Sequence, residues 1–379
     1  MKPRVIAIHL PQFHPIPEND RWWGKGFTEW RNVARTRVLF NGHEQPHVPS
    51  DLGYYDLRLH EARVAQAELA QAHGIDGFCY YHYWFHGKQL LEQPVNGLLS
   101  RGKPDFPFCL FWANEPWSRR WTGDEKEVLM DQTYSPEDDI AHARWLCRAF
   151  ADPRYIRVKG RPVFIIYRPH HLPDVQASLA RLRQECIRAG VGDPYLIGAD
   201  ARCGGTDCRS LGFDTTLRFE PKLGALPHSQ LERPSLKHLW RNLKLGVFSA
   251  RLKVYDYLEA CKAMRWYNPD YPIVPSVFVG FDNTPRRGAQ GLIVVNNSPA
   301  AFQMQVENEL RKTPHPERED DLLFINAWNE WAEGNHLEPD LRHGHAYLDA
   351  LKSAIDGAAA QPSRTKKAVA QEAAGSVLA

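Results

Sequence analysis

Leu322-Leu323-Phe324-Ile325-Asn326-Ala327-Trp328-Asn329-Glu330-Trp331-Ala332-Glu333-Gly334 changes character part-way along. Leu322–Ala327 is short and mostly apolar, the signature of a strand buried on both faces. The next seven residues, 328–334, mix Trp and Asn with two glutamates three residues apart. An apolar strand running straight into a polar, aromatic loop recurs along the chain. Val5–His9, Ile75–Tyr81, Phe108–Trp112, Pro162–Tyr167, Tyr195–Gly198, Phe213–Phe219 and Ile273–Val279 read as the other strands. Amphipathic stretches lie between them: His60–His73, Gln89–Arg101, Pro136–Phe150 behind a Ser135 cap, Val175–Ala189, a short helix after the fifth strand, Val254–Met264, Pro299–Arg311 and Gly344–Ala358. Alternating β and α elements predict a parallel sheet, and eight repeats favour closure into a (β/α)8 TIM barrel, α/β in class. One catalytic domain is expected over residues 1–358, with long loops at its C-terminal face and a disordered tail over 359–379. Residues 11–55 form the longest of these loops, rich in Pro, Gly, His and Trp.

Composition narrows the function classes. The 379 residues are 43% hydrophobic and 24% charged, with net charge +2, which gives no bulk attraction for nucleic acid. No GxGxxG or Walker pattern follows a strand, and no GxSxG supplies a serine nucleophile. Seven cysteines occur without a CxxC; Cys79 and Cys109 fall in buried strands and read as reduced thiols. With no leader-like stretch after Met1, a cytoplasmic location is expected. Of the 12 Trp, 14 Tyr and 17 Phe, core filling accounts for most, but many stand beside polar residues, where they suit the apolar C–H faces of sugars.

Barrel enzymes build their sites from the C-terminal ends of the strands. That rule gathers His9; Tyr81, His82 and Trp84; Trp112, Asn114, Glu115 and Trp117; Tyr167; Asp200; Arg218 and Glu220; Asp282; and Asn329 and Trp331 as substrate-binding residues. A ring of polar and aromatic groups suits a polyhydroxylated ligand. Cleaving a glycosidic bond needs two carboxyl groups about the anomeric carbon, one protonated and one ionised. Glu330 and Glu333 are the expected catalytic pair, and Glu115 in Asn114-Glu115-Pro116 is the rival. His82 and His86, four apart, have no third ligand at metal spacing, so neither metal nor cofactor is expected.

These residues carry a family resemblance. Leu10-Pro11-Gln12-Phe13-His14, Trp22-Trp23-Gly24-Lys25-Gly26-Phe27-Thr28-Glu29-Trp30, Tyr81-His82-Tyr83-Trp84-Phe85, Trp112-Ala113-Asn114-Glu115 and Trp328-Asn329-Glu330-Trp331-Ala332-Glu333-Gly334 resemble the WbsX-type glycosyltransferases of surface-polysaccharide loci. That family is related to glycoside hydrolase family 99, whose members are (β/α)8 endo-acting α-mannosidases that retain configuration. The resemblance implies that Glu330 is the base assisting attack by the substrate's 2-hydroxyl, and Glu333 the acid/base for the leaving group and then water. Ala332 stands where family 99 hydrolases have His, as in the WbsX branch. A retaining glycosidase or transglycosidase of O-antigen-type lipopolysaccharide metabolism is therefore expected. A sugar-nucleotide-dependent transferase and a non-catalytic glycan-binding barrel are the alternatives.

Residues 222–253 carry seven Lys or Arg against one acid, Glu232. Leu236, Leu239, Trp240 and Leu243 recur at helical spacing, with Lys237, Arg241 and Lys244 on another side. This stretch reads either as a lid helix or as a peripheral contact with the inner membrane face, where the partner would be a lipid-linked saccharide.

Overall fold

The computed structural model describes residues 3–118, 127–201, 205–226, 240, 243, 252–265, 271–312 and 322–360. Eight parallel strands form its centre: β1 (Arg4–His9), β2 (Gly77–Phe85), β3 (Phe108–Trp112), β4 (Arg161–Ile166), β5 (Tyr195–Asp200), β6 (Thr215–Arg218), β7 (Ile273–Phe278) and β8 (Leu322–Asn326). Each pairs with its neighbours in chain order, and β8 pairs back onto β1 with Val5 opposite Leu323. The barrel is thereby closed. Every residue of β3 and of β8 is buried, because the barrel interior takes one face and the helix layer the other.

Among the described residues the helices are α1 (Pro17–Trp23), α2 (Glu29–Ala34), α3 (His60–Ala72), α4 (Gln93–Arg101), α5 (Pro136–Phe150), α6 (Val175–Arg188), α7 (Tyr257–Arg265), α8 (Thr284–Arg287), α9 (Pro299–Lys312) and α10 (Ala346–Ala360). Ser135 caps α5 as expected, its hydroxyl accepting from the Asp138 amide at 3.1 Å. Among the described residues between β5 and β6 the one helical element is a 3-10 turn, Cys208–Leu211. It lies hard against β5: a Cβ at Gly198 would come within 2.7 Å of Cys208.

Two expected boundaries move. β2 runs on through Phe85 and turns back as a hairpin onto Lys88–Leu90, so α4 starts at Gln93 rather than Gln89. Lys253–Asp256, of which Val254–Asp256 was expected to open the helix Val254–Met264, is a strand parallel to Leu292–Val295, which pairs in turn with Phe281–Asp282. This small side sheet fixes the chain after β7 and sets the course of α8. The long first loop is ordered by its own core: Phe13, Trp30, Val33 and Tyr55 pack on Trp331, just beyond β8.

Among the described residues no helix is long and apolar enough to cross a membrane. Of the expected amphipathic stretch, Trp240 and Leu243 are described and exposed. Leu236, Lys237, Leu239, Arg241 and Lys244 lie outside the described residues, as does the tail from residue 361.

Candidate functional site

Beyond β8 the chain makes one antiparallel bridge, Asn329–Glu330 against Asn335–His336, closed by a 3-10 turn over Trp331–Glu333. The turn needs Gly334, whose φ is +56° and whose Cβ would lie 3.0 Å from that of Asp282. Three residues of such a turn bring Glu330 and Glu333 to the same opening. Their seat is built from below. The Asn329 amide accepts from the Leu10 N–H at 2.7 Å and donates to the Leu10 carbonyl at 3.0 Å, locking the end of β1 to the turn. Glu338 receives the Trp331 indole N–H at 2.6 Å, the Tyr55 hydroxyl at 2.8 Å and the Gln66 amide at 2.7 Å. Burial nevertheless pushes its carboxyl up to about 7, against those three hydrogen bonds.

One guanidinium organises the acids. Arg286, on α8, reaches Glu333 at 2.6 Å, Glu330 at 3.2 Å and the fully buried Glu29 of α2 at 3.3 Å. Three carboxyls share one cation, and two of them, Glu29 and Glu330, are buried. Burial is the main reason the Glu330 carboxyl is pushed up to about 8; Arg286 opposes it, and Glu333 and Glu29 add to it. Burial raises Glu29 as well, again against Arg286. The balance at Glu330 is thus shifted toward the protonated form. The helix carrying Arg286 is itself anchored by Asp282, which accepts from His43 and Gln45 at 2.8 Å each and from the Thr284 amide at 2.9 Å. Burial alone would raise Asp282; the hydrogen bonds from His43 and Thr284 outweigh it and hold the carboxyl below its ordinary range.

The opening is a cavity of about 790 Å³ at the C-terminal ends of the strands. Glu330, Glu333 and Arg286 line one side. Tyr81 and Tyr83 of β2, with Trp23 and Trp117, add aromatic surface. Opposite stands an ion pair, Arg168 to Glu115 at 2.6 Å, with the guanidinium 4.0 Å above the Tyr167 ring. Asn114 sets that pair by spanning the loops after β3 and β4, donating to the Arg168 carbonyl at 2.9 Å and accepting its N–H at 2.7 Å.

The model of the family described as Glycosyltransferase WbsX matches residues 5–351. This chain belongs to the WbsX family. It is 44% identical over 360 residues to the uncharacterized protein WxcX of Xanthomonas campestris pv. campestris (strain B100), a match covering 93% of this chain and 49% of that protein. The WxcX protein of strain ATCC 33913 matches to the same extent, so the chain spans about half the length of the curated relatives it matches. Among solved structures it is similar to the GH99 endo-alpha-mannosidase from Bacteroides thetaiotaomicron, at 15% identity and TM-score 0.54 over 94% of this chain and 97% of that one. A glycoside hydrolase-like protein is similar at 16% identity and TM-score 0.55, over 93% and 94% of the two chains. At such identities the likeness is one of fold.

Not every residue expected in the site of this WbsX family member reaches the cavity. Tyr81, Glu115, Trp117, Tyr167, Glu330 and Glu333 line it. His9, His82, Trp84 and Trp112 face the helix layer instead, because successive side chains of a strand point to opposite faces. His9 meets Gln66 of α3 at 3.1 Å, and burial holds its imidazole down at about 4. His82 meets His142 of α5 at 2.9 Å, and Trp84 donates to Asp138 at 3.0 Å. The Trp112 ring sits edge-on to His142. Asp200 is taken by Lys222, and Arg218 by Glu220 and Glu309 in a buried ion cluster. Asn114, Asp282, Asn329 and Trp331 buttress the loops rather than line the opening.

Sequence reading missed Arg286 and Glu29 as site residues; Tyr83 and Arg168 fall at the strand ends it singled out but were not among the expected binding residues. Glu29 stood in plain view within Gly26-Phe27-Thr28-Glu29-Trp30, an acid set among aromatics. Tyr83 shares the β2 face of Tyr81, so alternation from one cavity residue would have found it. Arg286 follows Asn283-Thr284-Pro285, an ordinary surface-turn sequence, and carried no signal.

Proposed function

We propose that this chain cleaves or transfers at an α-glycosidic, mannoside-like bond with retention, using Glu330 and Glu333, on a glycan of cell-surface polysaccharide metabolism. The observation that carries this reading is the carboxylate pair itself: two acids bound to one guanidinium, in one cavity at the catalytic end of a barrel. Glu330 serves as the base toward the substrate's 2-hydroxyl, and Glu333 protonates the leaving oxygen and then activates water. A carboxylate raised to about 8 is a stronger base than an ordinary glutamate once it is ionised. The Tyr81, Tyr83 and Trp117 rings offer apolar faces to sugar C–H groups, and the cavity volume suits an oligosaccharide segment. The name of the Bacteroides neighbour, an endo-alpha-mannosidase, makes α-mannosides the first substrates to try. A lipid-linked saccharide at the inner membrane face is the proposed natural form.

A second reading, sugar-nucleotide-dependent transfer, is favoured by the family's description and by Arg168, Arg286 and Arg287 on the cavity wall, which suit a diphosphate. Assays against α-mannoside oligosaccharides and against nucleotide sugars separate the two. The proposal expects turnover of the former without any nucleotide, and inhibition by cationic iminosugars. Turnover of nucleotide sugars alone would favour the second. The pH profile tests the role of Glu330. As the base it must be ionised, so kcat/KM should climb with pH through about 8. A fall over the same range would make Glu330 the acid.

A further inference from the structure

A cluster outside the cavity is built like a metal site. His47, from the long first loop, and His336 and Asp340, beyond the Glu330–Glu333 turn, bring three donor atoms within 4.8 Å of one another. His47 Nδ1 lies 2.7 Å from His336 Nε2, and Asp340 Oδ2 lies 3.9 Å from that same nitrogen. Each of the latter two is held from behind. His336 Nδ1 is 2.9 Å from the Glu338 carbonyl. A carbonyl only accepts, so the His336 proton sits on Nδ1 and its Nε2 presents a lone pair to the cluster. The other Asp340 oxygen takes the amides of Arg342 and His343 at 2.8 and 2.6 Å, which aims the free oxygen. Imidazole oriented by a carbonyl and carboxylate oriented by amides form the outer shell that metal ligands require. A cavity of about 300 Å³, lined by Glu44, His47, Asp340 and His343, leaves room for a fourth ligand.

We infer that His47, His336 and Asp340 bind a divalent transition ion of the zinc type. Two nitrogens and one carboxylate suit Zn2+ in tetrahedral geometry; Ca2+ and Mg2+ call for six or more oxygens or bound waters. Metal–ligand bonds of about 2.0–2.2 Å put tetrahedral donors roughly 3.3 Å apart. His47 and His336 open slightly from their direct contact, and Asp340 closes in. Binding replaces the proton between the two imidazoles: His47 moves it from Nδ1 to Nε2, both rings stay neutral, and no net proton leaves the histidines. The ion would tie the first loop to the turn that carries the glutamates, because the His336 ring stacks on Trp331 at 3.7 Å. This inference does not rest on the catalytic reading.

Isothermal titration of ZnCl2 into untagged, EDTA-stripped full chain tests it. One equivalent should bind and raise the melting temperature. His47→Gln and Asp340→Asn, the latter keeping an acceptor for the two amides, should each abolish binding while retaining the wild-type circular dichroism spectrum and the melting temperature measured in EDTA. Co2+ in the wild-type chain should give tetrahedral d–d bands without sulfur-to-cobalt charge transfer, which keeps the test decisive should either variant fold poorly. Absence of saturable Zn2+ binding, binding unchanged in either folded variant, or a charge-transfer band placing the ion on cysteine would overturn the inference.

Discussion

At the scale of single residues the site is an electrostatic balance that Arg286 holds. Removing its guanidinium leaves Glu29, Glu330 and Glu333 without their shared cation. Arg286→Gln should destabilise the fold by about 3–5 kcal/mol, as breaking one side of a buried ion pair does; urea unfolding measures it, and a loss below about 1 kcal/mol would mean that Arg286 does not hold the cluster together. The raised Glu330 carboxyl also predicts a pH signature. Glu330 binds its proton up to about 8 when folded, against an ordinary value of 4.5. Between those values the native state keeps a proton that the unfolded chain releases, so rising pH costs stability across that window. Glu330→Gln removes this liability. The variant should gain stability relative to wild type as pH goes from 4.5 to 8 and hold the difference above that, and chemical denaturation across the range checks it. None of this balance was legible beforehand. The two glutamates were, because they directly follow an apolar strand; their partner Arg286 sits 44 residues from Glu330, in a turn with no distinguishing pattern.

Among the elements, legibility followed burial. The eight strands stood out because they are short, mostly apolar and covered on both faces, and the helices between them are amphipathic. The side sheet did not, because Leu292–Val295 and Lys253–Asp256 are four-residue runs whose pairing is set only in three dimensions. The same limit explains why residues at the strand ends were found but their direction was not. Tyr80, His82 and Trp84 alternate with Tyr81 and Tyr83, and all of them are polar or aromatic, so composition gives no clue to which set looks inward. The turn after β8 can be tested as a unit. Gly334→Ala forces a side chain into φ +56° with its Cβ 3.0 Å from that of Asp282. It should cost about 1–2 kcal/mol for the backbone alone and lower turnover by shifting Glu333. Thermal unfolding with parallel activity assays would show it; a variant as stable and active as wild type would mean that the turn tolerates another geometry.

On the scale of the whole molecule, the closed barrel puts every β-to-α loop at one end, and the long first loop adds a wall above it. That is why residues as distant as Glu29, Glu115, Arg286 and Glu330 come together around one cavity. Barrel and family were both legible from the sequence, the first through eight repeated units and the second through motifs that all fall at this end. The direct test of the catalytic claim is ¹H NMR of the first product formed from an α-mannoside oligosaccharide, run with wild type, Glu330→Gln, Glu333→Gln and Glu115→Gln. The α-anomer should appear first, and each of the first two substitutions should lower turnover by about 10²–10⁴-fold with folding intact. A β-anomer first, or full activity in Glu330→Gln and Glu333→Gln with loss only in Glu115→Gln, would contradict it.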